Sequence, residues 1–179
     1  MNFEKLNKVS ILQYLKMIEL KTAVLLAASL KIGALIGGAR EEDAQRLYEF
    51  GKNVGIAFQL QDDILDVYGD EEKFGKQTGG DIISNKKTYL LLKAMDLAVG
   101  NRYMNEELEQ WIHAPKFDAK EKVQAVKNIY DFLNVRQLAE KEMMNYYEKG
   151  LSFLKEIPVN DLKKQKLIAF ADSLMVRQV

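Results

Sequence analysis

The residues best suited to chemistry are the carboxylates of Gln59 to Asp66, Q-L-Q-D-D-I-L-D. At about 100° per residue in a helix, Asp62 and Asp66 stand one turn apart on one face, with Asp63 beside them. The stripe continues backwards through Gln59, Gly55, Gly51 and Tyr48, while Leu47, Phe50, Val54, Phe58, Leu65 and Tyr68 take the other faces and read as core. Like charges at i,i+4 repel, by roughly a few tenths of a kcal/mol on an exposed helix and by more when desolvated. A hard divalent cation relieves that repulsion. Mg²⁺ favours carboxylate and phosphate oxygens and commonly keeps several waters, so the site suits a diphosphate bridged to the protein by metal. The competing reading is an exposed acidic face at the end of an amphipathic helix, and D-D-x-x-D alone does not decide between them. A calcium loop fits less well, because the spacing lacks the D-x-D-x-D-G order of an EF-hand. Gly51 and Gly55 leave room beside a metal for substrate, or equally permit close helix packing.

Three lysine-bearing segments add cations to these anions. The loop Gly75-Lys76-Gln77-Thr78-Gly79-Gly80-Asp81 can bring backbone close to an anion and point Lys76 at it, though it lacks the order of a Walker A sequence. Asn85-Lys86-Lys87-Thr88 is expected to open a helix, which places Lys86 and Lys87 near a terminus that itself attracts anions. Lys21-Thr22 interrupts an apolar stretch between Leu20 and Ala23, and a lysine there must snorkel or find an anion. Snorkelling for Lys21 and plain solvation for Lys86 and Lys87 are the bland alternatives. Taken with the aspartates, the lysines describe a metal-diphosphate clamp.

The elements that must position this clamp are helical. The chain has 179 residues with only two prolines, no strand-like alternation and no repeat, and it is read as a single all-α domain over 1–179. Helices are expected at about 10–36, 41–68, 85–99, 104–113, 119–133, 135–156 and 160–177, with a glycine-rich charged loop over 69–84. The first is apolar nearly all round, which implies burial among several partners. Its apolar run from Ala23 to Ala39 contains Lys31 and is shorter than a membrane span needs, so the chain is not expected to span a membrane. Lys plus Arg and Asp plus Glu each total 26, leaving no global field for nucleic acid. There are no cysteines and one histidine, His113, which excludes thiolate chemistry and multi-histidine zinc sites.

Four segments in order, Y-L-K-M-I-E-L-K-T (14–22), G-A-L-I-G-G-A (33–39), F-Q-L-Q-D-D-I-L-D (58–66) and G-K-Q-T-G-G-D-I-I-S-N-K-K-T-Y-L (75–90), resemble the trans-isoprenyl diphosphate synthases, the farnesyl, geranylgeranyl and longer polyprenyl diphosphate synthases. A weaker likeness continues through Y-Y-E-K-G-L-S-F-L and A-D-S-L-M-V-R near the end of the chain. The resemblance implies the C-terminal part of the isoprenoid synthase helical bundle. It implies a Mg²⁺-dependent prenyltransferase that ionises an allylic diphosphate and lets isopentenyl diphosphate attack the resulting cation. On the matching positions, Asp62 looks like a magnesium ligand, with Asp63 and Asp66 completing the motif directly or through water. Lys21 and Lys76 look like cations gripping the allylic diphosphate, and Lys86 should face the same group. Thr22 and Gln59 look like polar groups beside the reacting carbons and phosphate.

The resemblance covers only about the second half of such an enzyme. The family's first aspartate-rich motif has no counterpart before Asp62. The chain is therefore expected to be a fragment, or to begin at an internal methionine, and to be inactive alone. A non-catalytic regulatory subunit pairing with a catalytic homologue is the alternative. A terpene cyclase-like protein is disfavoured by G-K-Q-T-G-G-D and N-K-K-T, and a purely structural bundle remains the background possibility. By family, a cytoplasmic homodimer is expected.

Overall fold

A computed structural model describes residues 9–70 and 78–175. Its described elements are all helical: α1 (Ile11–Ile18), a π-helical turn (Glu19–Ala23), α2 (Val24–Ile36), α3 (Glu41–Tyr68), α4 (Gly80–Ile83), α5 (Tyr89–Ala98), α6 (Arg102–His113), α7 (Ala119–Phe132), α8 (Val135–Lys155) and α9 (Asp161–Met175). The all-α expectation holds. Among the described residues no helix is long and apolar enough to cross a membrane.

Local chemistry sets most boundaries. Ser10 opens α1 with a capping box: its Oγ accepts from the Gln13 N–H at 3.2 Å, and the Gln13 side chain accepts from the Ser10 N–H at 2.9 Å. Asn101 and Asp118 cap α6 and α7 through their side chains. One boundary departs from expectation. The helix expected from residue 85 begins only at Tyr89, because Thr88 is extended and its hydroxyl accepts from the Leu91 N–H. Lys86 and Lys87 therefore lie before the cap rather than in the helix. The loop expected over 69–84 also contains the single turn of α4.

The chain divides into two compact units, and α3 runs through both. In one, residues 15–61 pair with residues 141–175. There α3 approaches the start of α2 so closely that a Cβ on Gly55 would lie 2.7 Å from Ala23 Cα, and one on Gly51 would lie 3.0 Å from Ala27 Cα. Of the two roles open to these glycines, the structure assigns close helix packing. Gly150 of α8 packs on the same helix, facing Val54 and Phe50. The first helix is not buried all round. Ile18, Ala23 and Ala27 are buried, but Leu20, Leu25, Ile32 and Ile36 face solvent, Ile36 at 84% exposure. The described residues supply packing on one side only.

The other unit gathers residues 9–14 with 62–140. Its core contains Ile64, Leu65, Leu90, Leu91, Leu108, Val126, Ile129 and Tyr130. Tyr68 closes the end of α3, donating to Asp131 at 2.7 Å while Lys127 and Arg136 each stand 4.9 Å from its ring centre.

Candidate active site

In this second unit the aspartates of α3 meet the segment 78–89. Gly79 donates its N–H to the Asp66 carbonyl at 2.6 Å, and the Asp81 N–H donates to Asp66 Oδ2 at 2.8 Å. The Asp66 carboxylate thus serves the first turn of α4, where an anion is favoured, and Gly80 lies close against it (a Cβ there would sit 3.4 Å from Oδ1). Gly79 has φ +84°, and a Cβ on it would strike the Val123 side chain at 2.6 Å. Both demands call for glycine.

Asp63 points into the protein and is 6% exposed. It accepts hydrogen bonds from the Tyr14 hydroxyl and the Tyr89 backbone N–H, and Lys86 Nζ stands 3.6 Å away. Burial pushes its carboxyl up to about 6, against the opposing pull of Tyr14 and Lys86. Burial also raises Asp66, with the Asp81 N–H working against it. Burial and the neighbouring Asp63 hold the Tyr14 hydroxyl well above its ordinary range.

Lys86 is the cation of this cluster. Its Nζ lies 2.7 Å from Asp81 Oδ2, and about half of its side chain remains exposed. Burial pulls its pKa down, but the hydrogen bond to Asp81 and the charges of Asp63, Asp81 and Asp66 prevail and raise it. It therefore stays charged while reaching solvent.

Asp62, Asp63, Asp66 and Lys86 are thus brought together, with Asp62 half-buried on the face shared with Asp66. Lys21, Thr22 and Gln59 belong to the other unit. Lys21 is exposed and Thr22 half-buried, both within the π turn, a distortion frequent at functional sites. Gln59 sits on α3 one turn before Asp62. Lys76 lies outside the described residues.

The donor set fits a hard cation without caging one. Four aspartates, at 62, 63, 66 and 81, outnumber the neighbouring Lys86 and Lys87. Among the described residues, however, no group of three or more His, Cys, Asp or Glu side chains is gathered closely enough to hold a metal alone. Mg²⁺ commonly takes one or two carboxylates and completes its shell with water and phosphate oxygens.

Sequence reasoning did not single out two participants. Asp81 was visible inside G-G-D-I-I-S, where an acid between glycines and paired isoleucines marks a helix start. Tyr14 gave no such signal: its hydroxyl meets a carboxylate 49 residues away.

The described scaffold is all-helical and gathers aspartates, a charged lysine and a glycine-rich turn at one end of α3, which makes an acidic site there. The family model described as polyprenyl synthetase matches residues 1–131, and the chain belongs to that family. It is 33% identical over its whole length to 54% of a geranylfarnesyl diphosphate synthase of Aeropyrum pernix. A crystal structure of a geranylgeranyl pyrophosphate synthase superposes with TM-score 0.89 and 37% identity, over 99% of this chain and 55% of that one. The geranylgeranyl pyrophosphate synthase of Corynebacterium glutamicum, complexed with isoprenyl diphosphate and magnesium, gives TM-score 0.84 and 27% identity over 96% and 48%. The chain spans about half the length of these relatives.

Proposed function

We propose that this chain supplies the allylic-diphosphate side of a Mg²⁺-dependent prenyltransferase of isoprenoid biosynthesis, whose second substrate is isopentenyl diphosphate. The carrying observation is Lys86, held charged beside Asp81 and Asp63 at the end of the helix that bears Asp62 and Asp66. Family membership and the magnesium and isoprenyl diphosphate named for a structural relative support the reading.

In this reading Asp62 and Asp66 would hold the cation together with the diphosphate. The bound metal would supply positive charge to the departing diphosphate as its negative charge develops. Lys86 donates to a phosphate oxygen in place of one of its carboxylate contacts. Lys21 and Lys76 are proposed as further cations on the same diphosphate, and Thr22 and Gln59 as polar neighbours of the reacting end. Asp63 has a different task. Its bonds to Tyr14 and Tyr89 fix α3 against α1 and α5 within this unit, so that Asp62 keeps its bearing.

Calorimetric titration of the 179-residue chain with an allylic diphosphate and with inorganic diphosphate, each with and without Mg²⁺, tests this. Binding is expected only with metal, and Asp62→Asn should weaken it by about tenfold or more, ~1.4 kcal/mol. Affinity unchanged by a chelator or by Asp62→Asn would sink the proposal.

A further inference from the structure

Lys122 is a buried lysine that the proposed site does not use. It lies in the first turns of α7 and is only 1% exposed, and among the described residues its ammonium bonds to neutral oxygens and forms no ion pair. Nζ donates to Asn85 Oδ1 at 2.7 Å and reaches the Ile83 carbonyl at 3.4 Å, while the Phe117 ring covers it at 4.2 Å from the ring centre. Burial lowers its pKa. A buried ammonium without a counter-charge is costly, and stability alone would be served as well by an apolar side chain of the same length.

What Lys122 fixes is a turn. Asn85 has φ +52°, a left-handed conformation unusual for a residue other than glycine. Its N–H donates to the Ile82 carbonyl at 3.1 Å, and the Lys86 N–H donates to the Asp81 carbonyl at 2.9 Å. That pair of bonds is the Schellman closure of α4, with Asn85 as its left-handed residue and Lys86 the residue after it. The Asn85 side chain is held at both ends, since its Nδ2 also donates to the Ile112 carbonyl at 2.9 Å. The direction in which Lys86 leaves the backbone follows from the turn at Asn85, whose side chain Lys122 holds at one end and the Ile112 carbonyl at the other.

We propose that Lys122 is a positioning residue for Lys86: by pinning Asn85 and the last carbonyl of α4, it aims the Lys86 ammonium at the diphosphate. The Lys86 ligand rests on the function proposed above; the pinning of the turn does not. Lys122→Met keeps the length and burial of the side chain and removes only the donor. Its thermal stability should match or exceed that of the parent chain. Hydrogen exchange at the Lys86 N–H should nevertheless quicken, and Mg²⁺-dependent affinity for inorganic diphosphate should fall roughly tenfold, as partners that orient a ligand-binding group typically cost. A merely structural role predicts that stability and affinity fall together.

A double-mutant cycle with Lys86→Met separates positioning from long-range charge. If Lys122 acts through Lys86, its loss changes nothing further once Lys86 is gone. Should the two losses add, or should Lys122→Met leave exchange at Lys86 unchanged, the inference is overturned. Asn85→Gly keeps the left-handed turn accessible while removing both side-chain bonds. It should reproduce the faster exchange and weaker binding, and it decides the matter if Lys122→Met does not fold. Failure of the parent chain to bind diphosphate with Mg²⁺, or indifference to Lys86→Met, would refute the functional reading instead. Exchange at Lys86 would still report on the turn.

Discussion

Between Gly51 and Gly55 the polar stripe of α3 is closed off by backbone; between Asp62 and Asp66 the same stripe is built of charge. In the first stretch the missing side chains admit Ala23 and Ala27 to van der Waals contact, and Asn53, buried nearby, turns its amide back to the Glu49 carbonyl at 2.7 Å. That bond keeps the Asn53 amide within its own helix. In the second stretch two aspartates reach outward to different elements: Asp63 to Tyr14 and Tyr89, Asp66 to Gly79 and Asp81. One helix thus holds a rigid seam and, two turns later, a carboxylate cluster whose charges exceed the nearby cations. The seam can be insensitive to any ligand, whereas the cluster should not be.

The largest effect expected from breaking this contrast is at the seam. Gly55→Ala would place a methyl 2.7 Å from Ala23 Cα, a backbone atom with no rotamer to yield. In an ordinary helix alanine is favoured over glycine by about 1 kcal/mol, but overpacking typically costs about 1–3 kcal/mol. A net destabilisation of about 2 kcal/mol is expected in urea unfolding, with no dependence on Mg²⁺ or diphosphate. Unchanged or increased stability would mean that the two helices are not seated this closely.

At the charged end, Tyr14→Phe removes one donor from the buried Asp63. Leaving a buried acceptor short of a partner costs about 1–3 kcal/mol, and Lys86 and the Tyr89 N–H still serve the carboxylate. A loss of about 1 kcal/mol is expected, with weakened Mg²⁺-dependent diphosphate binding beside it. A stability loss with full binding would confine Tyr14 to the core.

Much of this contrast could be read from the residues, and the unread part has a physical cause. The spacing of Asp62 and Asp66, the breaks at Gly37 and Gly69 and the run of α3 followed from helical periodicity and glycine punctuation. So did the choice between two roles for Gly51 and Gly55, though not its outcome, since a missing side chain looks the same beside a ligand and beside a backbone. The identical letters of D-D-x-x-D concealed three environments. Asp63 and Asp66 are distinguished by partners 15 to 49 residues away, and no local pattern encodes those pairings. The start of α5 was misplaced because Asn85 could open a helix as well as Thr88. Its left-handed φ and the backbone bonds that close α4 show that it ends one instead.

The smallest effect is expected where α3 begins, and it sharpens the comparison by supplying a carboxylate with its charges matched. Asp43 stands in the first turn, where the helix dipole favours an anion. Arg40 Nε and Arg46 Nη1 each lie 2.9 Å from one of its oxygens. The hydrogen bond from Arg40 is the main influence, and with Arg46 it outweighs burial and lowers the carboxyl pKa. A group whose pKa is depressed by folding stabilises the fold above its unfolded pKa, about 3.9 for aspartate, and loses that contribution as pH falls through the lower folded value. Asp43→Asn should therefore cost a little stability at pH 7, less at high salt because both arginines reach solvent. In acid, once the pH has fallen through the folded value, the difference from the parent chain should vanish. Urea midpoints at the two pH values measure this directly. An equal deficit at both would mean that Asp43 contributes shape rather than charge. The contrast between Asp43, bridged by two arginines at one end of α3, and the carboxylates gathered around Lys86 at the other would then lose its electrostatic basis.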